Sequence, residues 1–358
     1  MKRILISTGG SGGHVIPAIT LYDHYKENFE TFLTTDKRGH KYINNKNYPC
    51  YIINTPKVSK NIVILPYNLF LFFTSIIKSF FYLRKKKIDF LLSTGGYMSL
   101  PLCLCAKLLK IKIILFEPNM VIGRSNKFFL KYSSKIICYS NDIRNFPLEY
   151  KNKIFLIKSL LRKRLYNEIK RSVNEINIPP KILIIGGSQG ANFFDEKISE
   201  LVIELFKDKK ISIIQQVSDK KKIEVLQSKY NQIGIDNDLF KFDNEIYKKY
   251  HDIDFAITRS GASTIMELVF FKIPFLAIPF SKAKDNHQFY NAKNIYDKNL
   301  CWLINQNEFR IDEVKKFLLS LMLNKDELFS KKKNMEKFSY QNTWNDVNQK
   351  LISLINEN

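Results

Sequence analysis

The strongest constraint on this chain is a short apolar run near its start that leads directly into a glycine-rich loop. Residues 4–6, Ile-Leu-Ile, are typical of a buried parallel strand, and residues 9–13 read Gly-Gly-Ser-Gly-Gly before His14 and Pro17. Backbone N–H groups in such a loop can approach a phosphate or a sugar closely, and a helix beginning near Pro17 would direct its positive dipole end toward the same ligand. The pattern predicts an anion-binding turn beside one reactive side chain, His14; a tight turn without a ligand is the alternative.

The same plan recurs further along the first half. Residues 90–94 form an apolar run before residues 95–97, Gly-Gly-Tyr, and residues 111–116 form another that ends at Glu117. Parallel strands joined by helices bring their carboxyl ends to one edge of a sheet, where ligands bind. The first half is therefore predicted to be a doubly wound parallel α/β sheet with these turns at one edge.

The second half repeats the pattern with its own turns. Residues 182–185 are apolar before residues 186–191, Gly-Gly-Ser-Gln-Gly-Ala, and residues 255–258 open into residues 259–264, Arg-Ser-Gly-Ala-Ser-Thr. Unpaired amides at a helix start, short hydroxyls and an arginine fork favour a pyrophosphate. Glu267, one turn later, is placed to accept hydrogen bonds from a ribose, unless it serves only to favour the helix dipole.

Length indicates how these patterns are divided. At 358 residues the chain exceeds the usual size of one domain, and the pattern loosens around residues 154–164. We therefore expect two Rossmann-like domains that face each other across a cleft.

Charge and cysteine content limit the class of protein. The chain has 57 Lys and Arg against 34 Asp and Glu, a net charge of +23 that would suit nucleic acid or an anionic membrane. No nucleic-acid-binding motif accompanies the charge, so nucleic acid is not an expected partner. The five cysteines lack metal-site or secreted-disulfide spacing, and no export segment precedes the first strand. These features predict a cytoplasmic protein.

Residues 62–87 run apolar and then abruptly basic. Pro66, Lys78 and several hydroxyl groups argue against a transmembrane span. In a helix, a narrow polar stripe would leave an apolar face wider than one side of a sheet covers, and the excess would dock on a membrane surface with residues 84–87 near anionic lipid. A deeply buried core helix with a solvated basic tail is the alternative. The stripe comprises Asn68, Ser75, Lys78, Ser79, Tyr82 and Lys86, and the apolar face comprises Phe70, Phe72, Phe73, Ile76, Ile77, Phe80 and Phe81.

Together the motifs resemble the MurG glycosyltransferases of bacterial peptidoglycan synthesis, in that family's order and from end to end of the chain. The resemblance implies the GT-B fold, with two facing Rossmann-like domains and an interdomain cleft. Residues 1–160 would bind the lipid I acceptor and the membrane, and residues 161–340 would bind UDP-GlcNAc. Residues 341–358 would form a helix that packs back on the first domain. The matching segments are residues 9–14, 95–97, Glu117 with Asn119, residues 186–191, 259–267 and 285–288, and Asn291 with Ala292.

The reaction that the resemblance implies is transfer of GlcNAc from UDP-GlcNAc to the 4-hydroxyl of MurNAc in lipid I, which yields lipid II and UDP with inversion at the anomeric centre. A base must take the acceptor proton, and positive groups must stabilise the departing diphosphate. His14 is the expected base and Glu117 the second candidate. No metal or cofactor is expected. A UDP-GlcNAc 2-epimerase of the same fold is the alternative enzyme, and a basic nucleic-acid or membrane adaptor is the alternative outside enzymes.

The resemblance also implies binding roles. The diphosphate of the donor would lie near Arg162, Ser188 and Arg259, the uracil near Phe242, the ribose near Glu267, and the sugar near Asn119. The expected donor-binding residues are Ser11, Gly12, Gly13, Asn119, Arg162, Ser188, Asp243, Arg259, Ala262, Ser263, Thr264, Glu267, His287 and Gln288. The loops expected to bind the diphosphate of the acceptor contain Gly10, Gly95, Gly96 and Tyr97.

Overall fold

The computed structural model describes residues 1–43, 46–56, 64–168, 176–187, 191–241, 243 and 245–357. The chain divides into two compact units. Unit 1 consists of Met1–Tyr166 with Asn342–Asn358, and unit 2 consists of Asn167–Gln341. The helices are α1 Gly12–Tyr25, α2 Lys37–His40, α3 Leu65–Lys85, α4 Leu100–Leu108, α5 Arg124–Phe129, α6 Ala191–Phe193, α7 Ser199–Asp208, α8 Lys220–Ile233, α9 Ala262–Phe270, α10 His287–Tyr296, α11 Ile311–Leu323, α12 Asp326–Ser339 and α13 Trp344–Asn356.

Unit 1 is built on a seven-stranded parallel sheet. Its strands are β1 Arg3–Ser7, β2 Glu30–Thr35, β3 Cys50–Ile52, β4 Phe90–Ser93, β5 Lys112–Glu117, β6 Lys135–Cys138 and β7 Ile154–Leu156. They lie in the order β3-β2-β1-β4-β5-β6-β7. The chain order reverses between β1 and β4, so the loops that follow these two strands are neighbours at the carboxyl edge, where open α/β sheets bind ligands.

The last helix of the chain belongs to unit 1. Val347, Leu351, Leu354 and Ile355 of α13 are at most 1% exposed and share a core cluster with Val15 and other residues of α1. Full burial of an aliphatic side chain contributes about 2 kcal/mol relative to exposure, so four such residues are enough to hold a helix of this length in place. The helix that carries His14 therefore packs against the end of the chain.

Unit 2 repeats the architecture with six parallel strands. They are β8 Lys181–Ile185, β9 Ser212–Gln216, β10 Asp236–Phe240, β11 Phe255–Thr258, β12 Phe275–Ala277 and β13 Trp302–Leu303, in the order β10-β9-β8-β11-β12-β13. Here the chain order reverses between β8 and β11. The two units are therefore Rossmann-like α/β folds, as the strand patterns predict.

Helix α3 differs from the expectation in how its faces are used. Its serines point into unit 1, where Ser75 and Ser79 are at most 2% exposed. Small side chains allow a close approach to α4, and the Cys105 thiol donates to the Ile76 carbonyl at 3.3 Å. The aromatic residues Phe70, Phe73 and Phe81 are between 60% and 65% exposed, so the buried core-helix alternative is wrong.

The exposed aromatic side chains of α3 do not make it a membrane-spanning helix. Among the residues that the structure describes, no helix combines the length and the apolar character needed to cross a bilayer. The helix ends at Lys85 and is followed at once by Lys86 and Lys87. Unit 1 thus presents an aromatic surface with a basic border on the outside of one helix.

Candidate active site

The imidazole of His14 lies at the reversal point of unit 1, in the first turn of α1. Its Nδ1 is 2.8 Å from the backbone carbonyl of Thr94, which follows β4. Because a carbonyl oxygen can only accept, Nδ1 carries the proton and Nε2 of the neutral ring has the lone pair. The Thr94 hydroxyl in turn donates to the Thr8 hydroxyl at 2.9 Å. Hydrogen bonds between neighbouring strand ends thus hold the ring with a basic nitrogen directed away from Thr94.

The second glycine turn passes close to that nitrogen. Gly96 has φ of +79°, and a Cβ built there would lie 3.7 Å from His14 Nε2. A side chain at this position would be strained by the backbone angle, and its Cβ would be in van der Waals contact with the ring. Gly95 and Gly96, which the sequence places in an acceptor loop, therefore lie beside the imidazole, and Tyr97 is the next residue.

The first glycine loop uses its amides unequally. The Gly10 amide donates to Asp36 Oδ1 at 2.8 Å, so this N–H is already used within unit 1. Ser11 is the N-cap of α1 but makes no side-chain cap bond. The Gly12 and Gly13 amides donate to no acceptor among the described residues. The start of α1 therefore presents two unpaired donors at the positive end of the helix dipole.

Glu117, the second candidate base, is enclosed by hydrogen-bond donors. It is 3% exposed at the end of β5. Its Oε1 accepts from the Asn119 backbone at 3.2 Å and the Asn119 side chain at 2.9 Å, and its Oε2 accepts from Gly123 N at 2.7 Å and Asn126 Nδ2 at 3.0 Å. Four donors satisfy the carboxylate where it stands. Glu117 therefore fixes the loop that carries Asn119 and leads into α5.

The other expected donor-binding residue of the first half, Arg162, belongs to unit 1. It is half-buried, and its carbonyl accepts from the Leu165 amide at 2.9 Å, four residues before the unit ends. The sequence boundary after residue 160 would assign it to the second domain. The structure thus places Arg162 on the same unit as His14.

In unit 2, the first turn of α9 combines several expected residues. Ala262, Ser263 and Thr264 supply the first three amides, which donate to no acceptor in the described part of the chain, and the first bond along the helix runs from Ile265 N to Gly261 O at 3.1 Å. Glu267 is 8% exposed one turn later and accepts from the Tyr250 hydroxyl at 3.3 Å. A helix start with unpaired amides followed by a carboxylate suits a phosphate linked to a polyol.

Arg259 differs from the expectation of an open diphosphate fork. It is 4% exposed, and its Nη1 donates to the carbonyls of Ile278 at 3.0 Å and Pro279 at 3.2 Å. Burial lowers the pKa of the guanidinium to about 10, because the buried charge loses its hydration. Arg259 thus ties the loop after β11 to the end of β12. The rings around its guanidinium are those of Phe193, Phe194 and Phe280.

Helix α10 bridges the same two loops. Gln288 Oε1 accepts from Ser260 N at 3.3 Å and Phe280 N at 3.0 Å, and Asn291 Nδ2 donates to the Ser260 carbonyl at 3.2 Å. His287 Nδ1 lies 2.8 Å from the Lys284 carbonyl, which leaves Nε2 as its outward nitrogen. The Gln288 carbonyl group is thus used to hold the loops, and its amide nitrogen is the part that remains for a sugar.

Two expected contacts lie outside the described residues. Ser188, with Gln189 and Gly190, follows Gly187, whose amide donates to Gln216 Oε1 at 2.9 Å. Phe242 is also outside, while its neighbour Asp243 accepts from the Glu245 amide at 2.7 Å. The glycine turn at residues 186–191 of unit 2 is therefore described only at its beginning.

The sequence reasoning missed Asp36 and Arg38. Asp36 follows β2 directly, so the same strand-end argument that selected Glu117 applies to it. Arg38 Nε donates to Asp36 Oδ2 at 2.9 Å and its Nη2 donates to the Tyr97 hydroxyl. No glycine turn marks this segment in the sequence, and only the order of β2 beside β1 brings it to the loops.

Comparison with known proteins agrees with this geometry. The models of the glycosyltransferase family 28 N-terminal and C-terminal domains match residues 4–138 and 181–346. The chain is 50% identical over 358 residues, 100% of this chain and 99% of the relative, to a Pelagibacter ubique protein named UDP-N-acetylglucosamine–N-acetylmuramyl-(pentapeptide) pyrophosphoryl-undecaprenol N-acetylglucosamine transferase. A Rickettsia felis protein of the same name is 34% identical over 94% of this chain and 95% of its own length.

Among solved structures, the fold is similar to that of Acinetobacter baumannii MurG. The TM-score is 0.76 at 21% sequence identity, and the match covers 100% of both chains. At this identity the likeness shows the fold alone, and it agrees with the two parallel-sheet units described above. Because the family models and the relatives cover both halves, the chain belongs to glycosyltransferase family 28 and, within it, to the MurG transferases.

Proposed function

We propose that this chain transfers GlcNAc from UDP-GlcNAc to the 4-hydroxyl of MurNAc in lipid I, giving lipid II and UDP. The observation that carries the proposal is the 50% sequence identity, over the whole chain, to the Pelagibacter protein named as a transferase of this kind. Its relatives bear a transferase name, and the epimerase alternative has no support among them. A membrane adaptor without catalysis would leave the donor arrays of both sheet edges without a ligand.

In this mechanism His14 is the general base. Its Nδ1 proton is held by the Thr94 carbonyl, so Nε2 is the nitrogen that takes the proton from the acceptor hydroxyl as the glycosidic bond forms. The other neutral tautomer, with the proton on Nε2, would lose the hydrogen bond to the Thr94 carbonyl. The oxygen then attacks the anomeric carbon from the side opposite the diphosphate, and one displacement inverts the configuration.

Glu117 has a positioning role in this proposal. Its four hydrogen bonds would have to break before it could take a proton from substrate, and each contact from a backbone or amide N–H to a carboxylate stabilises the charged form. We therefore assign it to holding the Asn119 loop, which leaves Asn119 to contact the donor sugar.

UDP is proposed to bind unit 2. The first amides of α9, with Ser263 and Thr264, would bind the diphosphate, because charge develops there as the glycosidic bond breaks. Glu267 would accept from the ribose hydroxyls. Arg259 would act indirectly, by fixing the loop between β11 and α9, since its Nη1 is already bonded to two carbonyls.

We further propose that α3 docks unit 1 on the anionic cytoplasmic face of the cell membrane. Phe70, Phe73 and Phe81 are exposed on one helix, and Arg84 with Lys85 ends it. Aromatic side chains enter the headgroup boundary while adjacent cations attract anionic lipid. A membrane-bound acceptor would then be presented to the unit that carries His14.

The first experiment measures UDP release from UDP-GlcNAc by purified protein in detergent, with and without a short-chain lipid I analogue, in buffer and in EDTA. We expect release that depends on the acceptor, survives EDTA and accompanies a disaccharide product. UDP release without acceptor, or no release by protein that binds UDP, would contradict the proposal.

A second experiment tests the membrane proposal. Vesicles containing phosphatidylglycerol should sediment the wild-type protein, and Phe73→Glu should reduce that binding while UDP affinity stays the same. Leu148→Glu is the control, because Leu148 is 76% exposed on the same unit and lies outside α3. Equal loss in both variants would contradict a docking role for α3.

A further inference from the structure

Arg38 is a charged side chain that neither the motifs nor the proposed mechanism uses. It lies on α2, the short helix after β2, with its side chain 41% exposed, next to the two glycine loops of unit 1. We propose that Arg38 binds the diphosphate of the acceptor and so sets how the acceptor sugar lies against His14. This inference rests on the proposed function and adds a residue to the acceptor side of the site.

The guanidinium of Arg38 lies against Tyr97 and close to Gly10. Its Nη2 donates to the Tyr97 hydroxyl, and its central carbon is 5.0 Å from the centre of the Tyr97 ring. A Cβ built on Gly10 would lie 3.8 Å from the same Nη2, and Gly10 has φ of +83°. Arg38 therefore donates to the Tyr97 side chain of one loop and lies next to Gly10 of the other.

Arg38 is connected to the reacting group through one loop. Gly96 lies beside His14 Nε2, and Tyr97, the adjacent residue, accepts from Arg38 through its hydroxyl. In the acceptor, the reactive 4-hydroxyl and the anomeric carbon that bears the diphosphate are at opposite ends of one pyranose ring. An acceptor whose 4-hydroxyl lies at Nε2 therefore has its diphosphate one ring away from the base, and Arg38 is the guanidinium on the adjoining loop.

The charge of Arg38 is paired with a buried carboxylate. Asp36, its ion-pair partner, has a side chain only 5% exposed and accepts from the amides of Gly10 and Gly39, each at 2.8 Å. The carboxylate is thus fixed behind the guanidinium and bonds only its Nε edge. Nη1 makes no hydrogen bond to any residue that the structure describes. Nη2 donates to the Tyr97 hydroxyl and lies 3.5 Å from Met98 Sδ, so Nη1 is the nitrogen that Arg38 can offer to a phosphate oxygen while it keeps its pair with Asp36.

Neighbouring backbone donors favour the same ligand. The Gly12 and Gly13 amides at the start of the 14-residue helix α1 follow directly from the loop that Arg38 contacts. A diphosphate has two charged groups, so one guanidinium and one helix start on adjacent elements match its length and charge. The carboxylate of Asp36 repels an anion, but three donors, the amides of Gly10 and Gly39 and the Nε of Arg38, compensate its charge.

The test uses two acceptor analogues that differ in one phosphate: a MurNAc-peptide carrying a short lipid through a diphosphate, and the same compound with a monophosphate. We measure kcat/KM for each at saturating UDP-GlcNAc. Hydrogen bonds to charged groups correspond to rate factors of about 10 to 100, so wild-type protein should prefer the diphosphate acceptor by about that factor. Arg38→Ala should raise the KM for the diphosphate acceptor by about 10- to 100-fold and abolish the preference.

Two variants separate binding from folding. Arg38→Lys keeps the charge without the fork and should retain part of the preference, whereas Arg38→Gln keeps the stem and should lose it. Arg3→Ala is the matched control, because Arg3 forms an exposed ion pair with Glu30 at 2.7 Å at the start of β1, away from the loops. It should leave both acceptors unaffected. The KM for UDP-GlcNAc should stay at the wild-type value in all four variants.

The outcomes distinguish this inference from the function on which it rests. If wild-type protein makes no disaccharide from either acceptor, the proposed function fails and the role of Arg38 fails with it. If wild-type protein is active and the charge-removing variants keep the full preference for the diphosphate, the role of Arg38 alone is overturned. A fall in rate that is equal for both acceptors would mean that Arg38 only supports the loops, and it would overturn the inference as well.

Discussion

The carboxyl edges of the two sheets share one topology but carry different side chains. In unit 1 the chain order reverses between β1 and β4, and in unit 2 between β8 and β11. The edge of unit 1 carries a histidine whose Nδ1 is fixed by a strand-end carbonyl. The edge of unit 2 carries unpaired helix amides and a buried carboxylate. The strand order is the same kind of reversal at both edges, and the loop side chains differ, so we propose that the edge of unit 1 transfers the proton and that the edge of unit 2 binds the diphosphate.

Each edge also carries a buried carboxylate, Glu117 in unit 1 and Glu267 in unit 2. Glu117 accepts four hydrogen bonds from its own loop and from α5, and Glu267 accepts from the Tyr250 hydroxyl at 3.3 Å. Glu117 is proposed to fix its own loop. Glu267 is proposed to act on substrate. Substitutions at the two edges should therefore affect different measurements.

The largest expected effect is at His14. His14→Ala should lower kcat by about 10²- to 10⁴-fold, because it removes the proposed base for the acceptor proton, while the Kd for UDP at unit 2 stays the same. Steady-state kinetics with the lipid I analogue and calorimetry with UDP measure the two quantities. His251→Ala, an exposed histidine of unit 2, is the control. If His14→Ala keeps the wild-type kcat, the division between the two edges is wrong.

Glu117→Gln should lower the free energy of unfolding. The amide nitrogen of glutamine would oppose donors where the carboxylate now accepts, at a cost of about 2 to 3 kcal/mol in the free energy of unfolding. Urea unfolding measures this, with the exposed Glu149→Gln as the matched control. A stable Glu117→Gln protein with a kcat as low as that of His14→Ala would instead identify Glu117 as the base.

Glu267→Gln should weaken UDP binding by about tenfold, since an amide accepts more weakly than a carboxylate from ribose hydroxyls. The effect should appear in the Kd for UDP and in the KM for UDP-GlcNAc, with little change in kcat at saturation. Glu224→Gln on the exposed face of α8 is the control. An unchanged Kd would leave Glu267 with a purely structural role in α9.

The smallest effect concerns the support of α1 rather than its reactive end. His24 is 1% exposed, stacks on Trp344 of α13 at 3.5 Å and has Asn348 Oδ1 3.0 Å from its Nδ1. Burial lowers its pKa from 6.5 to about 4, so the unfolded chain binds a proton between these values and the folded one does not. Stability present above pH 6.5 should therefore be lost as the pH falls toward 4, by about 2 kcal/mol between pH 7 and pH 5.

His24→Phe isolates this contribution, because phenylalanine keeps an aromatic ring on Trp344 and cannot titrate. Urea unfolding at pH 7 and pH 5 should show a loss in the wild-type protein about 2 kcal/mol larger than in the variant. Equal losses in both proteins would assign the acid sensitivity to other groups.

The sequence predicts the parts of the site that depend on strand ends. Buried apolar runs locate the turns at Gly95 and Arg259, and the crossover rules then bring such turns together at the reversal points. The fold class follows from the same alternation of strands and helices. His14 is singled out in the sequence because it is the only titratable side chain in residues 9–17, and the structure places it in the first turn of α1.

What the sequence does not predict depends on neighbours that are distant along the chain. The guanidinium of Arg259 is surrounded by rings from α6, the segment after it and the loop after β12, and nothing near residue 259 indicates that enclosure. Helix periodicity groups the serines of α3 correctly, yet it does not show that small side chains pack inward against α4 while phenylalanines point outward. Asp36 and Arg38 enter the site only because β2 lies beside β1.

A single displacement at the anomeric carbon is tested by the stereochemistry of the product. NMR of the disaccharide formed from UDP-α-GlcNAc and the lipid I analogue gives the configuration of the new bond from its anomeric coupling. The account predicts a β-linkage to the 4-hydroxyl of MurNAc. An α-linkage, or UDP release without a disaccharide, would contradict it.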